Sequence, residues 1–126
     1  MIIADSDVLI DALRGREPAL ARVAAGLRDG SLATTTVNSF ELRSGARTPA
    51  ELEKVEALLA ALSILPFDEP ASHAAGASRR SVDARGQAIG MGDFLIAGIC
   101  ISRGAALLTR NRKHFARIPD LVLARL

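Results

Sequence analysis

The sequence predicts an α/β fold in which helices cover both faces of a short, mainly parallel central sheet, giving a three-layer sandwich. Short apolar segments bounded by turn residues alternate with longer segments whose apolar residues recur at helical spacing. One segment in the last third of the chain is apolar on nearly every side of a helical wheel, which is typical of a buried helix. Strands that alternate with helices in this way favour a parallel sheet.

The composition predicts one globular domain over residues 1–126. The chain is 49% hydrophobic and 24% charged, lacks an apolar run near the ~20 residues of a membrane span, and begins without the basic start of a signal peptide. We therefore expect a cytoplasmic protein with no membrane contact. The formal net charge is only +2, but the basic residues cluster, which is compatible with a polyanionic partner. The single Cys100 excludes a cysteine-based metal site.

The chain opens with a strand and two helices. Residues 2–4 form a minimal apolar strand that leads into a polar turn at residues 5–7 and then into a helix. Pro18 suits the first turn of a second helix because its fixed backbone angle is already helical, and Gly30 ends that helix.

The middle of the chain predicts two strands and three helices. Residues 32–36 read as a strand because they are rich in β-branched residues and follow a turn. A helix follows directly, and residues 50–62 form another, with one apolar stripe and a charged, solvated face. Residues 64–67 read as a strand whose proline indicates either a sheet edge or a strand end, because proline cannot donate to a sheet, and residues 71–84 read as an alanine-rich helix.

The most apolar segment is the helix that begins near Asp93. Asp93 suits the first turn because the helix dipole favours an anion there, and Gly104 suits the C-terminal end. Residues 105–109 read as a buried strand after a tight turn, and residues 121–123 as a last short strand.

Three acids occupy comparable places in this scheme. Asp5 ends the first strand, Glu41 lies early in a helix that Thr36 or Asn38 is predicted to cap, and Asp93 heads the buried helix. Ligands of α/β sheets bind at the carboxyl ends of the strands. Clustered carboxylates withdrawn from water repel one another strongly, so a cation has to share the cluster. Mg²⁺ or Mn²⁺ suits oxygen ligands and can activate a water molecule for phosphodiester hydrolysis.

Other polar residues carry weaker signals. Taken singly, each of the three acids is explained as well by helix capping or solvent exposure, and only the joint pattern favours a site. Ser6 is either a hydrogen-bond partner of a carboxylate or a helix cap. Asp7 and Asp11 are expected to face solvent on the first helix. His114 is a candidate proton carrier, although a lone histidine beside a phenylalanine is more often structural.

A basic loop follows the strand at residues 105–109. Arg110, Arg112 and Lys113 are candidate phosphate-binding residues because they would flank the acidic pocket and neutralise phosphates beside the scissile bond. The alternative is a solvated basic loop, which is common for such charge runs.

Four segments in register carry a resemblance to a known family. They are IIADSDVLIDALRG at residues 2–15, TVNSFELRSGA at 36–46, IGMGDFLIAG at 89–98 and LLTRNRKHFARIPDL at 107–121. In this order they resemble the PIN-domain ribonucleases, specifically the VapC-type toxins of toxin–antitoxin pairs, over essentially the whole chain. The resemblance implies a PIN-like three-layer sandwich and a metal-dependent endoribonuclease, for which Arg110, Arg112 and Lys113 are the candidate RNA-binding residues.

The resemblance also implies roles for individual residues. The catalytic acids that bind Mg²⁺ are Asp5, Glu41 and Asp93. Ser6 stands at the hydroxyl position beside the first acid. Many relatives place a further acid where this chain has Asn111 or, as a second choice, His114, so a single bound metal is expected rather than two. Asn111 is nevertheless a candidate catalytic residue at this fourth position.

A separately encoded antitoxin is the partner that the resemblance implies. Its tail is expected to lie across helices near the pocket and to present an Arg or Lys to the carboxylates, in a homodimer or a toxin–antitoxin hetero-oligomer. Part of the apolar surface of the first two helices is expected to meet this partner or a second copy of the chain. The residues concerned are Val8, Leu9, Leu13, Leu20, Val23 and Leu27.

Two other classes compete with this interpretation. A haloacid-dehalogenase-like phosphatase would use Asp5 as a nucleophile, but it needs a lysine between its motifs, where only Lys54 is available, and a further acid after Asp93. A non-catalytic module, either a PIN fold kept for binding or a receiver-like domain, would not cut RNA. The receiver needs a lysine at the end of its last conserved strand, where this chain has Thr109 and Arg110.

Overall fold

The computed structural model describes residues 1–126 and contains five strands and seven helices. In chain order they are β1 (Ile2–Ala4), α1 (Ser6–Leu13), α2 (Ala19–Asp29), β2 (Leu32–Thr35), α3 (Thr36–Gly45), α4 (Pro49–Ala60), β3 (Ser63–Leu65), α5 (Glu69–Ala84), α6 (Met91–Arg103), β4 (Ala106–Leu108), α7 (Arg112–Phe115) and β5 (Val122–Leu123). The predicted elements are confirmed to within a few residues at their ends. Only the short helix α7, in the predicted basic loop, was not expected. None of the helices is both long and apolar enough to cross a membrane.

The five strands form one sheet in the order β3-β2-β1-β4-β5. Every neighbouring pair is parallel, so the sheet is wholly rather than mainly parallel. The strand order reverses between β1 and β4, and the crevice at the carboxyl ends of these two strands is therefore the topological switch point, where ligands of such sheets bind. A receiver-like domain would instead have its second strand at a sheet edge. Here β3 occupies that edge, so the receiver-like alternative is wrong.

Neighbouring residues of each strand face two different cores. Ile3 and Leu107 pack in the core that α5, α6 and α7 cover, whereas Ala4 and Leu108 pack in the core that α1 to α4 cover. This follows from the two-residue period of a strand, which sends successive side chains to opposite faces. The predicted three-layer sandwich is confirmed.

The buried helix α6 packs closely against α5. The two helices are antiparallel, because residues 85–90 join the end of α5 to the start of α6 while Arg103 at the end of α6 pairs with Asp68 before α5 at 3.5 Å. Cys100 is fully buried in α6, and burial raises the pKa of its thiol to about 12. Cys100 is therefore a protonated core residue, as predicted.

Two details of the helix ends differ from the sequence predictions. Thr35, rather than Thr36 or Asn38, caps α3, because its side-chain oxygen accepts a hydrogen bond from the Asn38 backbone N–H at 3.1 Å. Pro18 precedes α2 instead of lying in its first turn. Thr35 has an extended backbone, so the cap forms where β2 ends, and the Thr35 hydroxyl also donates to Asn38 Oδ1 at 2.7 Å.

The apolar surface predicted for the first two helices is smaller than expected. Val8, Leu9 and Val23 are at most 3% exposed and belong to the core, so their assignment to a partner surface is wrong. Leu20 alone of the six is an exposed large side chain, at 41%. The sheet is only a few residues long in each strand, and these side chains are needed to cover it.

Gly98 is expected to be essential for the close contact between α5 and α6. A Cβ atom at this position would lie 2.5 Å from the Ala71 carbonyl oxygen and 2.7 Å from the Ala75 Cβ. We expect Gly98→Ala to lower the free energy of unfolding by about 1–3 kcal/mol, because backbone has to move to admit the methyl group.

Urea denaturation measures this effect, and Gly76→Ala on α5 is the matched control. The added Cβ of Gly76 would meet only the end of the Arg80 side chain, at 3.8 Å. We expect this control to gain roughly 0.5–1 kcal/mol from the helix propensity of alanine. Equal midpoints for the two variants would contradict the tight packing of the helix pair.

Candidate active site at the carboxyl edge of the sheet

The carboxylate of Asp5 lies at the switch point and is the best-restrained group of the site. Asp5 is only 7% exposed. Its Oδ1 accepts hydrogen bonds from the Ser6 backbone N–H at 2.8 Å and from Asn38 Nδ2 at 3.0 Å, and its Oδ2 accepts from the Thr109 hydroxyl at 2.7 Å. Burial raises the pKa of Asp5 although these donors act in the opposite direction. Donors from three separate parts of the chain thus fix one acidic side chain.

Asn38 connects Asp5 to the second predicted acid. Asn38 is fully buried, and its Nδ2 also lies 2.9 Å from Ser6 Oγ and 3.4 Å from Glu41 Oε1. Ser6 Oγ donates to Glu41 Oε1 at 2.7 Å. Of the two readings of Ser6, the hydrogen-bond partner of a carboxylate is therefore the correct one. Glu41 is exposed, and its other oxygen makes no hydrogen bond within the chain, so Glu41 is held on one side only.

Asp93 forms the remaining side of the site from the first turn of α6. Its carboxylate is half-buried and has no hydrogen bond or salt bridge to compensate its charge. Burial, followed by the nearby charges of Asp5 and Glu41, raises the pKa of Asp93 to about 6, while His114 acts in the opposite direction. The three predicted acids therefore share one electrostatic environment.

The three acids do not form a finished coordination sphere in this arrangement. No three His, Cys, Asp or Glu side chains stand close enough together to hold a metal ion. Hydrogen-bond donors are the nearest partners of Asp5 and Glu41, as expected for like charges that repel one another. No lysine or arginine pairs with Asp5, Glu41 or Asp93. An all-oxygen donor set without a neutralising side chain fits a hard cation such as Mg²⁺.

Asp7 and Asp11 do not face solvent, and that expectation is wrong. Asp11 is 8% exposed and pairs with the Arg110 guanidinium at 2.9 Å. Asp7 Oδ2 accepts from the Arg110 backbone N–H at 3.0 Å, and its Oδ1 is buried without a partner. Burial, then the charge of Asp5, raises the pKa of Asp7. The two acids lie four residues apart on one face of α1, and the segment after β4 folds onto that face.

The three candidate RNA-binding residues lie in different environments. The Arg110 guanidinium is paired with Asp11, and the Arg112 guanidinium donates to the Ala124 carbonyl at 2.7 Å. Lys113 is exposed. Arg112 and Lys113 therefore keep an uncancelled positive charge, whereas the charge of Arg110 is offset by a buried acid. RNA binding by the three residues stays a prediction.

The fourth predicted position is connected to the site through Thr109. The Asn111 backbone N–H donates to Thr109 Oγ1 at 3.0 Å, and Asn111 Nδ2 lies 3.2 Å from His114 Nδ1. The residue is half-buried. Its amide side chain adds no negative charge to the acids.

Sequence reasoning missed three residues of the site: Asn38, Thr109 and Asp7. Two of them carried a usable signal. Asn38 stands three residues before Glu41 and so shares a helix face with it. Thr109 is the first polar residue after a buried strand, the same place that singled out Asp5. Nothing in the local pattern distinguished Asp7 from a solvated helix residue.

The sequence and the fold both match known proteins. The family model described as the PIN domain matches residues 2–121. Ribonuclease VapC10 from Mycobacterium tuberculosis is 38% identical over 121 residues, which cover 96% of this chain and 90% of that protein. Ribonuclease VapC19 from the same organism is 32% identical over 122 residues, which cover 96% and 97%. The crystal structure of VapBC2 from Rickettsia felis, bound to a DNA fragment from their promoter, matches with a TM-score of 0.90 and 25% identity, covering 100% of this chain and 99% of that chain.

Asp93→Asn is expected to stabilise the protein at neutral pH. The pKa of Asp93 is about 6 in the folded chain, above its ordinary value of 3.8, so the folded state holds this proton more tightly than the unfolded state. The contribution of Asp93 to stability is therefore fully present below pH ~4 and lost as the pH rises through about 6. After allowance for solvent screening of a half-buried group, we expect a gain of roughly 1–2 kcal/mol near pH 7.5 and almost none near pH 4.

Thermal unfolding in the presence of a chelator, at both pH values, measures the difference. Asp120→Asn is the matched control, because Asp120 is exposed, leads into β5 at the opposite edge of the sheet and has a φ of 68°, which asparagine also adopts. If Asp93→Asn shifted the melting temperature equally at both pH values, neither burial nor the neighbouring acids would raise the pKa of Asp93.

Proposed function

This chain belongs to the PIN-domain family and, within it, to the VapC-type proteins, and from that membership we propose that it is the ribonuclease toxin of a toxin–antitoxin pair. One observation carries the proposal at the level of the site. Asp5 and Glu41 share the Asn38 amide as a hydrogen-bond donor at the switch point of the sheet, the charges of both acids reach Asp93 and raise its pKa, and no lysine or arginine pairs with any of the three. Such a site attracts a cation and, through it, a phosphodiester.

The same three acids would hold Mg²⁺, for which Mn²⁺ can substitute. When bound, the ion supplies positive charge to the phosphodiester and makes water a stronger nucleophile. Asp5 is held by three donors and is the pre-organised ligand. Ser6 and Asn38 orient Glu41 because both donate hydrogen bonds to its Oε1. The second oxygen of Glu41 and the carboxylate of Asp93 are free to accept hydrogen bonds from the attacking water.

A single metal ion fits the charge of this site better than two. Asn111 stands where many relatives have an acid. Its backbone N–H donates to Thr109, and its neutral side-chain amide lies 3.2 Å from His114 Nδ1. Arg112 and Lys113, with Arg110 in a smaller role, would hold phosphates on the adjacent loop. The phosphatase alternative loses its basis with the family membership.

The antitoxin would bind in an apolar groove between α1, α3 and α4. The groove has a volume of about 440 Å³, and Ile10, Leu13, Leu42 and Val55 contribute to its lining beside Glu41. An extended apolar segment that carries an Arg or Lys would fill the groove and place its cation next to Glu41, which offsets the repulsion between the acids. The resting state would be a homodimer or a hetero-oligomer of toxin and antitoxin.

Asp5→Asn and Asp93→Asn are expected to abolish cleavage while the fold survives. Each change removes a ligand charge with little change in volume, so we expect cleavage of RNA to fall by at least about two orders of magnitude. A gel assay with purified protein and added Mg²⁺ or Mn²⁺ measures this, and Asp120→Asn should cut like wild type. Chelation should stop cleavage, and added metal should restore it.

Two outcomes of this assay would contradict the proposal at different points. Undiminished cleavage by Asp93→Asn with metal supplied would remove Asp93 from the site. No cleavage by the wild-type protein under any of these conditions would favour a PIN fold kept for binding.

Expression of this chain alone is expected to arrest growth, and co-expression of the product of the neighbouring reading frame should relieve the arrest. Size-exclusion chromatography should show the two proteins together. Ile10→Glu should weaken this association because it places a charge in the groove, whereas Leu20→Glu on the exposed side of α2 should not. Normal growth together with no co-purifying small protein would count against the toxin role and leave the ribonuclease activity open.

A further inference from the structure

Arg85 and Arg117 donate hydrogen bonds to backbone carbonyls, whereas most other bonded arginines of the chain pair with carboxylates. Five arginines form salt bridges with carboxylates: Arg16, Arg43, Arg79, Arg103 and Arg110. A salt bridge of this kind cancels most of the positive charge at a distance. Arg85 instead donates to the Arg117 carbonyl, and Arg117 donates to the Ala88 carbonyl at 3.1 Å. A carbonyl fixes a guanidinium group without neutralising it, so both residues keep their charge in a defined position.

These two hydrogen bonds join the segments that flank Asp93. Arg85 and Ala88 belong to the connection between α5 and α6, and α6 carries Asp93 in its first turn. Arg117 lies just beyond the end of α7. The connection and α7 therefore meet beside the end of α6 at which the acid lies.

The exposed face of α7 extends the basic surface formed by Arg85 and Arg117. Lys113 and His114 precede Arg117 by four and three residues and so lie on the same side of the turn. The opposite side is fixed in the core by Phe115, which is fully buried, and by Ile118, which is 3% exposed. His114 Nδ1 lies 3.2 Å from Asn111 Nδ2, and the Asn111 backbone N–H donates to Thr109, whose hydroxyl donates to Asp5. This face consequently borders the acids.

We propose that this basic edge, formed by Arg85, Lys113, His114 and Arg117, binds the phosphates of the RNA strand on the Asp93 side of the cleavage site. The inference rests on the proposed function and extends its RNA contacts beyond the loop at residues 110–113. A phosphodiester that approaches three acids is repelled, and fixed positive charges beside them offset that repulsion. The net charge of the chain is only +2, so local placement has to supply this attraction.

The test measures how salt weakens RNA binding in an Asp5→Asn background, which prevents cleavage during the titration. The ligand is a mixed-sequence single-stranded RNA oligonucleotide, and fluorescence anisotropy gives Kd at several NaCl concentrations. For Arg85→Gln combined with Arg117→Gln, we expect weaker binding and a salt slope smaller by about 0.7 for each phosphate that the variant no longer neutralises. The matched control, Arg28→Gln combined with Arg47→Gln, removes two exposed charges that form no salt bridge and lie beside α2 and α4, on the other face of the sheet from Asp93, and should keep the slope.

A charge-conserving variant separates electrostatics from local structure. Arg85→Lys combined with Arg117→Lys keeps both charges and alters the hydrogen bonds to the carbonyls, so it should retain most of the salt slope. If the lysine variant reduced the slope as much as the glutamine variant does, the two arginines would act by holding the segments together, and the proposal would be overturned. Melting curves of all variants monitor folding.

Other outcomes are equally decisive. A glutamine variant with the salt slope of the control would overturn the proposal. The proposal would also be overturned if the glutamine variant kept the salt slope for RNA but lost its affinity for polyglutamate. That result would assign the basic edge to an acidic protein partner. Failure of the proposed function would give a different result. The wild-type protein would not cleave RNA, but the glutamine variant at Arg85 and Arg117 would still bind RNA with a smaller salt slope.

Discussion

The buried carboxylate of Asp5 is the group on which the rest of the site depends. A charge that is only 7% exposed is unfavourable unless hydrogen bonds replace the water it has lost. Its donors come from the start of α1, from Asn38 on α3 and from Thr109 after β4. These three parts of the chain are neighbours only because β1 lies between β2 and β4 in the sheet. The strand order brings these donors to Asp5, and the buried charge of Asp5 is tolerated only where they meet.

The three acids differ in how firmly the protein holds them. Asp5 is fixed by three donors, Glu41 is held by one oxygen, and Asp93 has no partner that offsets its charge. Because Glu41 and Asp93 are less restrained than Asp5, their carboxylates can adjust to a cation that contacts Asp5. One site of this kind would therefore accept cations of different shape. The metal ion and the basic side chain of the antitoxin proposed above are both cations that such a site would accommodate.

Much of this arrangement could be predicted from the sequence, and the exceptions share a physical cause. Local patterns identified the strands, the buried helix and the acids at strand ends and helix starts, because these features depend on residues close in the chain. Asp7 and Asp11 were misassigned because their partner, Arg110, is about a hundred residues away in sequence, and no local pattern reports such a pairing. Thr35 was missed as a cap because the end of β2 depends on pairing with its neighbouring strands.

The sequence separation of Asp5 and Thr109 has a consequence for the order in which the protein matures. The hydrogen bond between them spans 104 residues, and β1 likewise waits for β4 to complete its pairing. Contacts this distant in sequence form late, because the loop between them has to close first. A nascent chain that has been translated as far as α6 therefore contains all three acids. It still lacks Thr109, the donor that completes the restraint of Asp5. The full restraint of the acidic site is therefore acquired only after β4 and Thr109 have been synthesised and have joined the sheet.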